Sequence, residues 1–179
     1  MSDINVIVWS LPILFMLHDF EEIIFVGHWK KKFKSLLEIP NMKKKPYGHF
    51  IDTASFSMTI GILFLIQVLI TFFSILFQSY CVWYGVFFAF TAHFILVHIP
   101  FTIIFKHFVP GIFTSLIILP ICFFILYKSA TILSYSFQMY VISCVLSCVA
   151  VGILFISVDF LMKVFYKWLN NYALSNTMR

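Results

Sequence analysis

Four ionisable side chains lie inside an apolar segment near the start of the chain. They form the run His18-Asp19-Phe20-Glu21-Glu22. In a helix that crosses a membrane, a carboxylate near the bilayer centre costs about 2.5–3.5 kcal/mol on insertion scales. The acidic side chains must therefore be paired, protonated, metal-bound or in contact with water. Each of these states is a separate hypothesis about function.

Composition identifies an integral membrane protein. Hydrophobic residues make up 62% of the chain, charged residues only 11%, and the mean hydropathy is +1.02. Soluble domains have about 25% charged residues. The composition excludes an ordinary soluble enzyme, and we predict a multi-pass protein of a bacterial-type cell membrane.

Hydropathy predicts an all-α, polytopic transmembrane bundle of about five spans, because each crossing needs about 20 residues. The predicted spans lie near 4–28, 51–78, 81–105, 110–127 and 137–162. We expect residues 1–179 to form a single integral-membrane domain. The first segment has no basic region before it, so we expect it to remain as a span, with a kink at Pro12.

The distribution of lysine predicts the orientation. A basic loop at 29–50 contains Lys30, Lys31, Lys32, Lys34, Lys43, Lys44 and Lys45. The positive-inside rule places this loop in the cytoplasm, the N-terminus outside and the C-terminus inside. All basic residues except Lys128 are then internal. We expect the loop to contact anionic lipid headgroups rather than nucleic acid.

In this orientation, spans one and three run in the same direction, so the depths of their polar residues can be compared. At 1.5 Å per residue, His18 lies roughly 21 Å and Glu22 roughly 27 Å below the start of span one. His93 lies roughly 18 Å and His98 roughly 26 Å below the start of span three. We therefore expect a carboxylate–histidine cluster between these helices, in the cytoplasmic half of the bilayer.

The spacing of the first motif is typical of metal ligands. His18, Glu21 and Glu22 share one helix face, and Asp19 is expected to point elsewhere. Imidazole and carboxylate groups ligate zinc, iron and manganese. The sequence predicts a divalent-metal site formed by His18, Glu21, Glu22 and His98. One of the two glutamates would act as the general base. Proton transfer and a structural ion-pair role remain open alternatives.

The other histidines are predicted to lie outside the site. His93 and His98 are five residues apart, roughly 140° around an α-helix, so we expect only His98 to face the carboxylates. His28 and His107 lie near the cytoplasmic interface and His49 in the basic loop, where we expect contact with solvent.

Three motifs in order resemble the HXXEE-domain membrane proteins. The first is His18, Glu21 and Glu22. The second is the histidine His98, and the third is Phe108-Val109-Pro110-Gly111, where the family pattern is Tyr-x-Pro-Gly. Phenylalanine in place of tyrosine removes a hydroxyl. The resemblance supports the choice of site residues, but it implies no reaction, because the family is known as a domain of unknown function.

Three classes of function are compatible with these residues. The first is a membrane protein with an intramembrane divalent-metal site and hydrolytic activity. The second is a small proton-coupled carrier that uses the same carboxylates and histidines. The third is an accessory protein whose polar cluster only fixes helix packing. The sequence alone does not decide whether the protein is an enzyme.

The predicted orientation can be tested by labelling a single cysteine placed at Ser35 in a variant that lacks the native cysteines. We expect no reaction with a membrane-impermeant thiol reagent added to intact cells, and full reaction after the cells are opened. Labelling from outside would contradict the cytoplasmic position of the basic loop.

Overall fold

The computed structural model describes residues 3–38, 45–48 and 50–175, and every regular element within these ranges is helical. The helices are α1 Asp3–Ile7, α2 Ser10–Lys32, α3 Lys34–Leu37, α4 Thr53–Leu76, α5 Cys81–His93, α6 Ile99–Phe105, α7 Ile112–Leu133 and α8 Phe137–Ser175. One π-helical turn, Phe94–His98, joins α5 to α6. The predicted all-helical class is confirmed.

Four segments of the described chain are long and apolar enough to cross a membrane. They are α4, the continuous α5–α6 segment, α7 and α8. The last two helices extend beyond the predicted span ends at residues 127 and 162. An α-helix continues as long as its backbone hydrogen bonds do, and polar residues can follow the apolar part of a span. In α8, for example, Lys163 pairs with Asp159 one turn away at 2.6 Å.

The first predicted span is interrupted near its N-terminus, as its proline indicates. Pro12 has no N–H to donate to the carbonyl of Val8, and the chain breaks between α1 and α2 at this level. The Val8 carbonyl instead accepts hydrogen bonds from Trp83 Nε1 at 2.8 Å and from Thr71 Oγ1 at 3.4 Å. The break therefore fixes the start of α2 against α4 and α5.

Helix α2 buries acidic side chains among apolar ones and exposes large apolar side chains. Its buried face includes Asp19, Glu21 and Glu22, whereas its exposed side chains include Ile13, Leu17, Phe20 and Ile24. An amphipathic helix on a water-soluble protein buries its apolar stripe instead. The arrangement in α2 suits a helix whose outer face contacts hydrocarbon and whose charges need partners inside the bundle.

Helices α5 and α8 pack closely through small residues. A Cβ atom at Gly85 would collide with the side chains of Ser143 and Ser147. Small residues let helix backbones approach closely in membranes, where no hydrophobic effect draws helices together. Helices α5 and α8, together with α2 and α4, line one cavity.

Candidate metal centre

Three imidazoles and one carboxylate meet between α2 and the α5–α6 segment. One donor atom from each of His18, Glu22, His93 and His98 lies within 4.8 Å of every other. The Nε2 atom of His98 is 3.1 Å from Nε2 of His18 and 2.9 Å from Nε2 of His93. The Oε1 atom of Glu22 is 3.6 Å from Nε2 of His18 and 3.4 Å from Nε2 of His98. The predicted contact between spans one and three is present.

These distances fit the edges of a metal coordination shell. Ligand atoms at about 2.0–2.1 Å from a tetrahedral cation lie about 3.3 Å from one another. Four of the six separations run from 2.9 to 3.6 Å, and all six are within 4.8 Å. The donor types also fit, because imidazole and carboxylate groups suit zinc, iron and manganese.

The inclusion of His93 corrects the expectation that only His98 faces the carboxylates. The π-helical turn Phe94–His98 is closed by a bond from the Ile99 N–H to the Phe94 carbonyl. In such a turn, each N–H bonds to the carbonyl five residues earlier, so residues five apart come onto one face. Pro100 supplies a local reason for the change, because its ring disfavours a regular helix through the preceding turn. The sequence feature that could have indicated the π-helical turn, and with it the position of His93, is therefore the proline two residues after His98.

Thr114 connects His18 to Glu21. The Thr114 hydroxyl donates to Glu21 Oε2 at 2.7 Å, and the carboxylate also accepts from the Thr114 N–H at 2.7 Å. Because this hydroxyl has only one hydrogen, it accepts from His18 Nδ1–H, 3.0 Å away. His18 therefore presents the lone pair of Nε2 to the cluster. Second-shell bonds of this kind orient metal-binding imidazoles.

Glu21 consequently occupies a different place from the one predicted. The group of converging donor atoms does not include it. Its carboxylate instead lies at the start of α7, where the N–H of Phe113 approaches at 3.4 Å and that of Thr114 more closely. An anion at a helix N-terminus satisfies unpaired amides and interacts favourably with the helix dipole. The two adjacent glutamates thus have separate roles.

Gly111 packs directly on the cluster. Its φ angle is +85°, in the left-handed region that favours glycine, and it immediately precedes α7. A Cβ atom at this position would lie 2.9 Å from Glu22 Oε1 and 2.7 Å from Nδ1 of His98. The turn therefore needs glycine both for its backbone conformation and for the space that the site leaves.

A comparison with known protein families assigns residues 9–125 to the family described as "Protein of unknown function with HXXEE motif". The chain belongs to the HXXEE family. Comparisons with curated proteins and with solved structures found no match. The family segment contains α2 through most of α7, and thus all four converging residues of this HXXEE protein.

Tyr47 adds a hydroxyl to the site from the basic loop. Its O–H contacts Glu22 Oε1 at 2.7 Å and the Pro110 carbonyl at 2.8 Å. Lys30 Nζ donates to the Tyr47 carbonyl at 3.0 Å and holds the loop in place. Burial, together with the Glu22 carboxylate, raises the pKa of Tyr47 well above its ordinary value, so the hydroxyl keeps its proton. Tyr47 has φ +52°, which is uncommon for a bulky residue.

Sequence reasoning missed Tyr47 and misplaced Asp19. The signal for Tyr47 was Pro46-Tyr47-Gly48, a turn sequence that brings an aromatic residue back to the bundle. Asp19 does not point away from the site as predicted. It is only 4% exposed, its Oδ2 has no hydrogen-bond partner among the described residues, and it lines the same cavity as Glu22.

The remaining histidines lie outside the cluster where the structure describes them. His28 and His107 are exposed. The His107 ring stacks on Phe33 with a centroid separation of 5.1 Å. His49, like Lys43 and Lys44 of the basic loop, lies outside the described residues.

We predict that Gly111→Ala disrupts the site. The substitution forces a side chain into the left-handed region and against the Glu22 carboxylate, so it should lower the free energy of unfolding by about 2–4 kcal/mol. Thermal unfolding in detergent measures the effect. Gly152→Ala is the matched control, since a Cβ there meets nothing within 4 Å. Equal melting temperatures for the two variants would contradict the packing described for Gly111.

Proposed function

We propose that this HXXEE protein is a membrane-embedded, metal-dependent hydrolase. His18, Glu22, His93 and His98 hold the divalent cation, which is zinc, iron or manganese. The proposal rests chiefly on the convergence of three Nε2 atoms and one carboxylate oxygen on a shared centre. Two neighbouring residues support this arrangement. Thr114 sets the tautomer of His18, and Gly111 leaves room for the ligands.

The same geometry favours a cation over the two alternatives. A histidine that relays a proton takes it up at one ring nitrogen and releases it from the other. Here His18, His98 and His93 all face one another through Nε2, so the contacts do not form such a path. A purely structural cluster is also disfavoured, because three Nε2 atoms that face one centre cannot all be satisfied by one another. A cation satisfies all of them together.

Asp19 is the residue we propose as general base. A divalent cation at this centre would act as a Lewis acid and make bound water more acidic. Glu22 contributes to the centre itself, and Glu21 is engaged at the start of α7. Asp19 lines the same cavity, and none of the described residues bonds to its second carboxylate oxygen. It can therefore accept a proton there, and Tyr47 donates a hydrogen bond toward Glu22.

We further propose that α2 is a fifth span, with the N-terminus outside and the C-terminus inside. Its apolar exposed residues support this position, because they suit contact with lipid rather than water. The cluster then lies in the cytoplasmic half of the cell membrane. The basic loop rests on anionic lipid headgroups, because the positive charge of its lysines is attracted to them.

Metal content tests the proposal. Protein purified gently in detergent and loaded with zinc, manganese or iron(II) should retain about one ion per chain. Glu22→Gln and His93→Ala should each lose the ion during purification, since the first removes the negative charge of a ligand and the second removes an imidazole. Glu21→Gln should keep it with affinity weakened by about tenfold, as expected for a residue that acts through a ligand's partner. Mass spectrometry of metals with equilibrium competition gives these values.

Asp19→Asn is the matched control for a carboxylate in the same cavity. It should keep the full metal content, because we place its side chain outside the ligand shell. Wild-type protein that retains none of the three metals would contradict the proposed function. Loss of metal from Glu21→Gln equal to that from Glu22→Gln would contradict the separate roles of the two glutamates.

A further inference from the structure

A cavity of about 640 Å³ extends from the cluster into the bundle. Sites for small organic ligands are typically about 300–1,000 Å³. One end is polar and is lined by His18, Asp19, Glu22, Tyr47, His93 and His98. The rest is lined mainly by apolar side chains of α4, α5 and α8. The walls thus suit a ligand with a polar head and a long apolar part.

The apolar part is elongated along the helices. On α4 its lining residues run from Phe56 to Ile70, a distance of about 21 Å at 1.5 Å per residue. One leaflet contributes about 15 Å to the hydrocarbon core of a bilayer. The cavity can therefore accept a single lipid chain lying parallel to the helices.

Gln67 is a polar residue in the apolar part of this cavity. It is 9% exposed, lines the cavity, and within the part of the chain that the structure describes its Oε1 has no hydrogen-bond partner. A buried polar atom without a partner costs free energy, so such groups in native proteins usually have one. A ligand with a hydrogen-bonding group at this depth would provide the partner.

Two contacts between the antiparallel helices α2 and α4 give the depth of Gln67. Gly27 lies beside Thr53. From the level of Gly27 and Thr53, Glu22 lies five residues back along α2, and Gln67 lies fourteen residues further along α4 in the same direction. The difference of nine residues corresponds to an axial separation of about 13 Å. Val8, two residues before α2 begins, bonds to Thr71 near the other end of α4. Glu22 is fourteen residues from Val8 and Gln67 is four residues from Thr71, which gives a similar separation of about 15 Å if the short break before Ser10 keeps the helical rise.

We propose that the cavity binds one hydrocarbon chain of a membrane lipid, with the oxygen-bearing head at the cluster and a hydroxyl or amide group of the chain at Gln67. This inference rests on the proposed function, because the head is the group that the cation would polarise. It names the substrate class of that site. The polar group on the chain lies about 14 Å from the head, as the two helix contacts require.

Selectivity for one lipid over another must come from the two polar contacts, at the cluster and at Gln67. Lipid tails are as apolar as the cavity wall, so transfer of a plain chain from the bilayer gives little free energy. The head gains a cation, and the chain gains a hydrogen bond that the surrounding hydrocarbon cannot offer. A lipid without the second group should therefore bind more weakly.

A photoreactive stearate with a diazirine at mid-chain is the probe for this inference. With metal-loaded protein in phosphatidylcholine nanodiscs, labelled peptides should come from the cavity faces of α4, α5 and α8. Ala150→Trp fills the cavity and should reduce this labelling by about tenfold. Val149→Trp adds the same side chain at an exposed position that does not line the cavity, and should leave the labelling unchanged. Unchanged metal content shows that both variants are folded.

Competition tests the role of Gln67 without any change in cavity volume. Unlabelled 12-hydroxystearate should displace the probe about fivefold better than stearate, which corresponds to one hydrogen bond. Gln67→Leu should abolish this difference and leave competition by stearate unchanged. Equal competition by the two acids in the wild type would overturn the assignment of Gln67.

Two other outcomes separate this inference from the proposed function. Labelling that Ala150→Trp does not reduce would overturn the lipid site, even if the protein holds its metal. Labelling of the cavity that is equally strong after removal of the metal would overturn the placement of the head at the cluster. If the wild-type protein retains none of the three metals, the proposed function is contradicted, whatever the probe labels.

Discussion

The burial of the Glu22 carboxylate is the constraint on which the structure depends. Glu22 is 6% exposed in a bundle whose outer surface is apolar. A charge in such surroundings is tolerated only when it is paired and hydrogen-bonded. Imidazoles of His18 and His98 and the hydroxyl of Tyr47 surround its Oε1 atom. These partners come from α2, the π-helical turn and the basic loop, so the carboxylate joins three distant parts of the chain.

Irregular backbone brings the partners together. The π-helical turn before Pro100 aligns His93 with His98, and the left-handed conformation of Gly111 lets the start of α7 pack on them. Proline and glycine usually weaken a helix. In this protein they produce the local geometry that a regular helix would not give. Irregularities of this kind are frequent at functional sites.

The contact between His18 and His98 could be predicted from the sequence, because depth along two parallel helices depends only on residue number and orientation. The break near Pro12 followed from the missing N–H of proline. His93 could not be placed with the same rule, since the angle of 100° per residue fails in a π-helical turn. Tyr47 and the engagement of Glu21 by Thr114 depend on tertiary contacts between residues far apart in sequence. Periodicity contains no information about such contacts.

X-ray absorption spectroscopy of the zinc-loaded protein measures directly whether His18, Glu22, His93 and His98 ligate one cation. We expect a first shell of nitrogen and oxygen at about 2.0–2.1 Å. The outer-shell scattering should correspond to three imidazoles, and His93→Ala should leave two if zinc is supplied at saturating concentration. The proposed ligand set would be contradicted by a shell that contains sulfur or by a shell of oxygen alone. It would also be contradicted if His93→Ala leaves the number of imidazoles unchanged.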